Sequence, residues 1–325
     1  MALVWTAALM AQRIAVVDSN GSTQIFNTLQ AAIEGAADGS VVYLPGGGFS
    51  IADSVKITKK LTIIGIGHYV ESDNADGITT ISGSLYYDNG SSGSAVMGCY
   101  ITGSVWIGKD GSSVNDILIK YCNLNSVHIY NSICLGTIVN QNYIRSHVCP
   151  NNDDNYATAE VTNNIVSRIH NLEQSLIANN IIIYNSTYDY KAMSKIKDSV
   201  IKDNIFLCSG SYYPCSSISN TMLSGNMGFL SGLYSGFVDE NYIYMSGISK
   251  DDVFVKCGDV SPASDFHFKD EYKQYENQVG IYAGDGFSDD QLPPVPYIVE
   301  KHIDQQTDAS GHLNVRIRVK AGGTE

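Results

Sequence analysis

The chain is poor in charge, and its net charge has the wrong sign for nucleic acid. Only 16% of its 325 residues are Asp, Glu, Lys or Arg, against about 25% in typical soluble domains. Acidic residues outnumber basic ones by 33 to 20, which gives a formal net charge of -13. A phosphate backbone or an anionic membrane surface would be repelled by this charge, and long solvated helices need more charged residues. The composition therefore predicts no nucleic-acid partner and few helices.

Long apolar runs and paired-cysteine motifs are also missing. No run approaches the roughly 18 apolar residues of a transmembrane helix, so membrane insertion is not expected. The seven cysteines include no Cys-x-x-Cys and no cysteine–histidine group at zinc spacing, which argues against a zinc module and a small disulfide framework. The one close pair, Cys208 and Cys215, either bridges a loop in an oxidising compartment or packs as two small hydrophobes.

The first residues have the character of an export signal. Residues 2–11 are apolar and end in a small residue before Gln12. They are similar to the apolar part of a secretory signal, although the positively charged leader is missing. We therefore expect a secreted or cell-surface protein, in which residues 1–12 form a truncated signal-like segment.

A short pattern recurs along the middle of the chain. It consists of an apolar residue, two polar or small residues, Asn or Cys, and then an apolar pair or near pair. The seven key positions are Cys99, Cys122, Asn142, Asn164, Asn180, Asn204 and Asn226. Their mean spacing is about 21 residues, which is typical of one coil of a solenoid. Asn pairs also occur in turns between unrelated strands, but that interpretation does not account for the recurring spacing.

The repeat is too short for paired helices and consists of short Ile, Val, Leu and Tyr stretches between Asn, Ser, Gly and Asp. These features predict an all-β fold, a parallel β-helix. Asn at each corner would adopt the left-handed backbone of a sharp bend, and its amide would bond the same amide of the neighbouring coils. We expect Cys99 and Cys122 to replace Asn on the core side of this ladder.

The entry to the repeats supports the same fold. Residues 26–35 have helical spacing, and Gly39-Ser-Val-Val-Tyr-Leu-Pro45 follows. Over about residues 24–245 the chain resembles the right-handed parallel β-helix proteins of the pectin-lyase-like superfamily, as found in secreted bacterial proteins. That resemblance implies an amphipathic helix that caps the open end of the coils. The predicted organisation is a signal-like segment (1–12), an N-terminal cap and first strand (13–50), coils (51–245), an acidic cap (246–291), and a proline-rich connector with a β-hairpin (292–325).

The acidic cap carries much of the negative charge. Residues 237–290 contain twelve acidic and four basic residues, so the coils themselves are closer to neutral. In the final hairpin, the second strand alternates apolar with basic residues over 313–320, and we expect one face to pack and the other to be basic.

A strip of histidine and arginine is predicted on the outside of three successive coils. Counted from each corner residue, the two types recur at nearly the same offsets, and alternation along a strand points them outward. The strip consists of His128, His147, His170, Arg145 and Arg168. Such a strip could bind sulfate or carboxylate, or supply a catalytic base, because His titrates near neutrality and Arg binds anions bidentately. Assorted polar residues on an exposed sheet face would give the same pattern.

Tyrosines form a second match in register. Tyr188 and Tyr212 lie eight residues after their corner residues, with Tyr184, Tyr190 and Tyr213 nearby. Tyrosine rings lie flat against sugar faces while their hydroxyls stay hydrated, which predicts a glycan platform. Stacked tyrosines that only cover loop junctions remain the alternative.

A calcium site is a further hypothesis. Asp153, Asp154 and Glu160 belong to an oxygen-rich insertion between coils, and calcium prefers oxygen ligands. Solvated turns have the same composition.

The resemblance does not extend to the known catalytic motifs of the superfamily. Polygalacturonase-like members combine Asn-Thr-Asp, Asp-Asp and Gly-His on successive coils, and pectate-lyase-like members carry Trp-x-Asp-His; neither set is complete here. We therefore predict non-catalytic glycan binding or structural display toward a polysaccharide or surface glycan. The competing hypothesis is a polysaccharide lyase or glycoside hydrolase that uses the histidine face.

Overall fold

The protein folds as a parallel β-solenoid of about eight turns. The computed structural model describes residues 13–69, 76–130, 132–150, 155–185, 187, 189–209, 212–235, 238–304 and 306–320. Strands make up 44% of the structure and helices 6%, which confirms the predicted fold class. Within these ranges, no helix has the length and hydrophobicity needed to cross a bilayer.

The solenoid is built from short strands. They are β1 Ile14–Val17, β2 Thr23–Phe26, β3 Ser40–Tyr43, β4 Gly47–Ile57, β5 Leu61–Ile64, β6 Thr79–Tyr87, β7 Ala95–Met97, β8 Tyr100–Ile101, β9 Val105–Ile107, β10 Leu118–Lys120, β11 Asn123–Ile129, β12 Thr137–Asn140, β13 Tyr143–Pro150, β14 Ala159–Thr162, β15 Ile165–Glu173, β16 Leu176–Ala178, β17 Ile181–Ile182, β18 Met193–Lys197, β19 Val200–Lys202, β20 Ile205–Phe206, β21 Cys215–Ser219, β22 Met222–Ser224, β23 Met227–Gly228, β24 Ile243–Tyr244, β25 Phe254–Lys256, β26 Asp265–Phe268, β27 Tyr297–Ile303 and β28 Val315–Lys320. The helices are α1 Leu29–Gly35, α2 Lys250–Val253 and a 3-10 helix over Asp270–Tyr275.

Two long sheets form the walls of the solenoid. The first sheet has the strand order β2-β1-β3-β5-β7-β10-β12-β14-β16-β19-β22. The second sheet runs β24-β23-β20-β17-β15-β13-β11-β8-β6-β4, with β9, β18 and β21 pairing beside it. From β3 to β24 the pairs are parallel; only β1 and β2 join the first sheet antiparallel.

The core is a set of aliphatic columns between the sheets. One column contains an inward residue from each of six successive first-sheet strands, all in direct register and almost completely buried: Ile119, Val139, Val161, Ile177, Ile201 and Leu223. Because neighbouring strands lie about 4.8 Å apart, each side chain packs on its equivalent in the next coil. The apolar members of the repeat therefore form the core, and the residues between them face outward.

A short helix covers the N-terminal end of this core. Helix α1 begins after Thr28, whose Oγ1 accepts a hydrogen bond from the Ala31 amide at 3.2 Å. Leu29, Ala32 and Ile33 are its buried residues, so the 3/4 spacing in the sequence corresponds to the face that covers the coils. The helix begins later than the helical spacing suggests because Thr28 supplies the N-cap.

Side-chain amides form a ladder along one corner. The Oδ1 of each ladder asparagine accepts the backbone N–H of the ladder residue one coil earlier, at 2.9 Å in all five steps between Cys122 and Asn226. The Nδ2 of Asn142, Asn164 and Asn204 each donates to the next ladder amide at 3.0 Å, and that of Asn180 does so at 2.9 Å. All five asparagines are completely buried.

The left-handed residue of each corner is the one before the ladder residue, which corrects the sequence-based assignment. Tyr121, Gln141, Asn163, Asn179 and Asp203 have φ between 53° and 57°. The ladder asparagines are absent from the positive-φ residues and point into the core. In an Asn-Asn pair, the first residue therefore makes the bend and the second supplies the hydrogen bonds.

Cysteine takes the ladder position in the two preceding coils. The Sγ of Cys122 lies 3.3 Å from the carbonyl of Lys120 and 3.7 Å from that of Val96, and Cys99 Sγ lies 3.4 Å from the carbonyl of Met97. Asn142 Nδ2 donates to the equivalent carbonyls of its own and the previous coil, Asn140 and Ile119. The thiols thus occupy the amide position, as expected.

No disulfide joins any of the seven cysteines. Cys208 and Cys215 are both buried and act as small core residues. Of the two alternatives, a disulfide across a loop or packing as small hydrophobes, the structure therefore shows the packing.

A second ladder of hydroxyl groups lies at another corner. Ser175 Oγ accepts the Ala159 amide, Ser199 Oγ accepts that of Ser175, and Thr221 Oγ1 accepts that of Ser199, at 3.0, 3.0 and 3.3 Å. Each hydroxyl donates to the carbonyl two residues earlier. The repeated Ser and Thr were not recognised as a pattern from the sequence.

After the last coil the chain turns back along the asparagine corner. The peptide N–H of Gly280 donates to the carbonyl of Asp203, the Asn163 amide donates to the carbonyls of Ile281 and Ala283, and the Ser288 amide donates to Gln141 Oε1. Residues 279–291 therefore form a strap that runs from the C-terminal coils towards the N-terminal ones. The strap explains why polar side chains at the left-handed positions are buried.

The C-terminal hairpin is present, but its predicted packing is wrong. Strands β27 and β28 pair antiparallel, as expected. Every residue of β28 is exposed, including Val315, Ile317 and Val319. Arg316 and Arg318 contact Glu300 on β27. Alternation in this strand thus marks two exposed faces, because nothing in the described part of the chain covers the apolar one.

Candidate functional site

The three predicted histidines lie together on the outer face of the second sheet. His128 is on β11, His147 on β13 and His170 on β15. The ring centroids of His128 and His147 are 5.0 Å apart, and those of His147 and His170 are 5.4 Å apart. All three rings are half-buried. The three rings therefore form one row on this face, although the strand register pairs His147 with Ser126 and Arg168 and pairs His128 with Cys149.

Cys149 completes a compact group that the sequence did not reveal. It pairs with His128 across β11 and β13, and its Sγ lies 3.4 Å from His128 Nδ1. One donor atom from each of His128, His147 and Cys149 lies within 4.8 Å of the other two. Sequence reasoning missed Cys149 because cysteine in a repeat was interpreted only as a core or ladder residue.

Aromatic rings continue the row towards the N-terminal coils. Trp106 on β9 stacks on His128 with centroids 3.9 Å apart and an interplanar angle of 14°. Tyr86 on β6 stacks on Trp106 at 5.6 Å and 3°. The Lys109 ammonium lies 4.5 Å from the Tyr86 ring centroid and 5.1 Å from that of Trp106. The strict pairing of Tyr86, Trp106 and His128 in adjacent strands produces this stack.

Burial controls the charge of His128. Its imidazole is largely shielded by Trp106 and the neighbouring strands, and desolvation, together with repulsion from His170, lowers its pKa to about 4. His128 is therefore neutral at physiological pH and carries a nitrogen lone pair. The side chain can accept a proton or bind a metal, but it does not contribute positive charge to the surface.

The two predicted arginines have different surroundings. Arg145 donates to Asn123 Oδ1 and to the carbonyls of Ile101 and Thr102, and its guanidinium lies over the Tyr100 ring. Its half-buried position lowers its pKa from the usual value by desolvation. Arg145 thus braces neighbouring coils.

Arg168 belongs to a tyrosine cluster. Its guanidinium carbon lies 5.2 Å from the Tyr184 ring centroid and 5.5 Å from that of Tyr190, and its Nε donates to the carbonyl of Lys191. The Lys191 ammonium in turn lies 4.8 Å from the ring centroid of Tyr212. Arg168 of the predicted histidine–arginine strip and the predicted tyrosines therefore belong to one surface, although the sequence analysis described them as two separate features.

This surface, the tyrosine platform, consists of the contacting residues Tyr184, Tyr190, Tyr212, Arg168 and Lys191, together with Tyr213, the exposed residue that follows Tyr212 in the chain. Tyr190, Tyr212 and Tyr213 are 57%, 46% and 45% exposed. Tyr190 lies three residues before Met193, and Tyr212 lies three residues before Cys215. Met193 and Cys215 pair directly, so the two tyrosines occupy equivalent positions in adjacent coils. Tyr188, the predicted partner of Tyr212, lies outside the described residues.

The predicted calcium ligands are not brought into a described site. Asp153 and Asp154 lie outside the part of the chain that the structure describes, and Glu160 lies on β14 of the first sheet. The signal-like residues 1–12 are outside it as well. The calcium hypothesis therefore stays a prediction.

The asparagine ladder ends on a carboxylate. In the last coil the ladder position holds Tyr242, one residue before the Met227–Ile243 pair. Asn226 Nδ2 instead donates to Asp239 Oδ2 at 2.9 Å. Desolvation raises the pKa of Asp239 to about 6, although hydrogen bonds from Asn226 oppose the shift. The ladder thus ends on a carboxylate whose charge is costly in the folded chain.

Comparisons with protein-family models, curated proteins and solved structures found no match to this chain. Its geometry is therefore the basis on which a function is assigned below.

Proposed function

We propose that the protein binds an anionic glycan, without cleaving it, on the outer face of its second sheet. The observation that carries this proposal is the tyrosine platform, where exposed rings and two cations share one surface. Exposed apolar side chains are common singly, but aromatic rings clustered with cations are typical of binding surfaces.

The chemistry of the platform suits an acidic sugar. Tyr190, Tyr212 and Tyr213 offer ring faces and edges for the C–H surface of a pyranose, while their hydroxyls remain in water. Arg168 and Lys191 lie within reach of the same rings, and such cations bind carboxylate or sulfate groups. Since the acidic residues are concentrated in 237–290, the coils can present a local basic surface despite the net charge.

The spacing of the platform also suits a polymer. Tyr190 and Tyr212 lie on adjacent coils, and neighbouring parallel strands are about 4.8 Å apart. One pyranose ring spans a similar distance, so a chain lying along the solenoid axis would meet equivalent side chains repeatedly.

We further propose that the protein belongs with pectin-lyase-like β-helices and acts outside the cell or at its surface; the solenoid fold and the apolar residues 2–11 support this.

A double substitution tests the binding proposal. Tyr190→Ala combined with Tyr212→Ala should weaken binding of acidic oligosaccharides at least about tenfold, which is ~1.4 kcal/mol, because two stacking surfaces are lost. Arg168→Gln should weaken binding of uronate or sulfated ligands while leaving any binding of neutral ones unchanged. A glycan array selects the ligands, and calorimetry on the purified full chain measures the affinities.

Tyr43→Ala is the matched control, because Tyr43 is an exposed tyrosine on the first sheet. The Tyr43→Ala variant should bind acidic oligosaccharides with the same affinity as the unsubstituted protein. The proposal fails if the double variant binds as tightly as the Tyr43 control, or if the array shows no acidic ligand.

A polysaccharide lyase or hydrolase is the second candidate, favoured by the gathering of His128, His147 and His170 on one face. An imidazole of this group would supply the base that either reaction needs. The test incubates a panel of polysaccharides with the protein and measures unsaturated products and new reducing ends. Products that form with the unsubstituted protein and not with His147→Ala would support this candidate, and the absence of products would exclude it.

A further inference from the structure

We infer that His128, His147 and Cys149 form a binding site for a transition-metal ion such as zinc(II). The site shares no residue with the tyrosine platform and does not depend on glycan binding, although His147 pairs with the platform residue Arg168 across β13 and β15. It is built from the backbone pairing of β11 with β13, which places Cys149 directly opposite His128 and His147 two residues before Cys149 on the same strand.

The distances suit a single ion. The three donor atoms lie within 4.8 Å of one another, and the closest pair, Cys149 Sγ and His128 Nδ1, is 3.4 Å apart. A tetrahedral ion bonded at about 2.3 Å to sulfur and 2.0–2.1 Å to nitrogen holds its donors roughly 3.3–3.6 Å apart, which is the separation that Cys149 Sγ and His128 Nδ1 already have. The other donor atoms, which lie within 4.8 Å of one another, would move inward to the same separation when a metal binds.

The donor types select the class of metal. Two imidazoles and a thiolate favour zinc, copper or cobalt, whereas calcium and magnesium require oxygen ligands. Binding replaces the thiol proton of Cys149 with the metal, and that proton is released to solvent. Three protein ligands leave a fourth position for water or for a donor from another molecule.

Neighbouring side chains hold the ligands in place. Ser146 Oγ lies 2.9 Å from His147 Nδ1; a tautomer protonated at Nδ1 donates to Ser146 and keeps the lone pair on Nε2, the atom available to a metal. Trp106 stacks on His128 at 3.9 Å and fixes the plane of its ring. Cys149 itself is only 3% exposed. Such supporting contacts are typical of metal sites.

Cobalt(II) is the probe for this site, because its thiolate complexes absorb in the near ultraviolet and its d–d bands report the geometry. The full chain, freed of metal with a chelator, should bind about one cobalt or zinc per molecule and develop thiolate-to-cobalt absorption. Cys149→Ser should abolish this absorption, and His128→Gln or His147→Gln should weaken the affinity at least tenfold. Ser146→Ala, which removes only the supporting hydroxyl, should weaken it about tenfold.

Cys257→Ser and His312→Gln are the controls, since both residues lie outside the group on the C-terminal part of the chain. They should bind cobalt like the unsubstituted protein, and circular dichroism of every variant should show the same strand content. The inference is overturned if no thiolate-to-cobalt absorption develops, or if the absorption survives Cys149→Ser.

Discussion

Asn180→Ala is expected to lower the free energy of unfolding by about 4 kcal/mol, since several buried polar groups lose partners together. The Asn180 amide nitrogen donates to Val161 O, Ala178 O and Asn204 Oδ1, and its oxygen accepts from the backbone and side chain of Asn164. Alanine leaves these groups unsatisfied inside a core that water does not reach. Urea unfolding followed by circular dichroism measures the loss.

Two further variants separate the hydrogen bonds from side-chain size. Asn180→Asp keeps the shape but presents carboxylate oxygen to the carbonyls of Val161 and Ala178, so it should be at least as destabilising as alanine. Asn185→Ala removes an exposed asparagine whose side chain accepts one bond from Ser209, and should change stability by no more than about 0.5 kcal/mol. Equal stability of the Asn180 and Asn185 variants would show that the ladder is not a stabilising element.

Asp239→Asn is expected to stabilise the protein at neutral pH and to have little effect in acid. The pKa of Asp239 is about 6 in the folded chain, against about 3.9 when unfolded. The folded state therefore holds the proton more tightly, and the stability from this group is fully present below pH 4 and is lost as the pH rises through 6. Asparagine offers the same acceptor to Asn226 without the charge.

The nominal cost of the charge is about 3 kcal/mol, and partial exposure to solvent reduces it to about 1.5 kcal/mol. The measured quantity is the difference in unfolding free energy between Asp239→Asn and the unsubstituted protein, at pH 4 and at pH 7.5. This difference should grow by about 1.5 kcal/mol between pH 4 and pH 7.5. A constant difference between pH 4 and pH 7.5 for Asp239→Asn would contradict a raised pKa.

The coils were predictable from the sequence because their chemistry repeats. Asn142, Asn164, Asn180 and Asn204 recur at intervals of one coil, and each apolar pair that follows enters a strand. What the spacing could not show is which residue of an Asn-Asn pair bends the chain, since Asn tolerates a left-handed backbone and also bonds well inside a core. The structure assigns the bend to the first residue and the ladder to the second.

Features that depend on distant segments were not predictable. The strap of residues 279–291 packs on corners more than a hundred residues earlier, and no local pattern encodes that pairing. The exposed apolar face of β28 was expected to pack, because alternation indicates two different faces but does not say what covers them.

The candidate site was predictable only in part. The rings of His128, His147 and His170 lie close together, but the register pairs His147 with Ser126 and Arg168, which the offsets from the corner residues did not indicate. A bulge between Ile144 and His147 displaces Ser146 from the inward position and brings it to His147. Register across coils, which pairs Cys149 with His128 and Met193 with Cys215, becomes visible only once strand pairs are known.

The central claim is that the outer face of the second sheet, at the tyrosine platform, is the surface through which this protein binds its ligand. Hydrogen–deuterium exchange of the full chain, with and without the tightest-binding acidic oligosaccharide, tests that claim most directly. We expect the ligand to slow exchange in residues 189–194 and 212–216 and to leave β10, β12 and β14 of the first sheet unchanged. Protection confined to the first sheet or to the β27–β28 hairpin would contradict it.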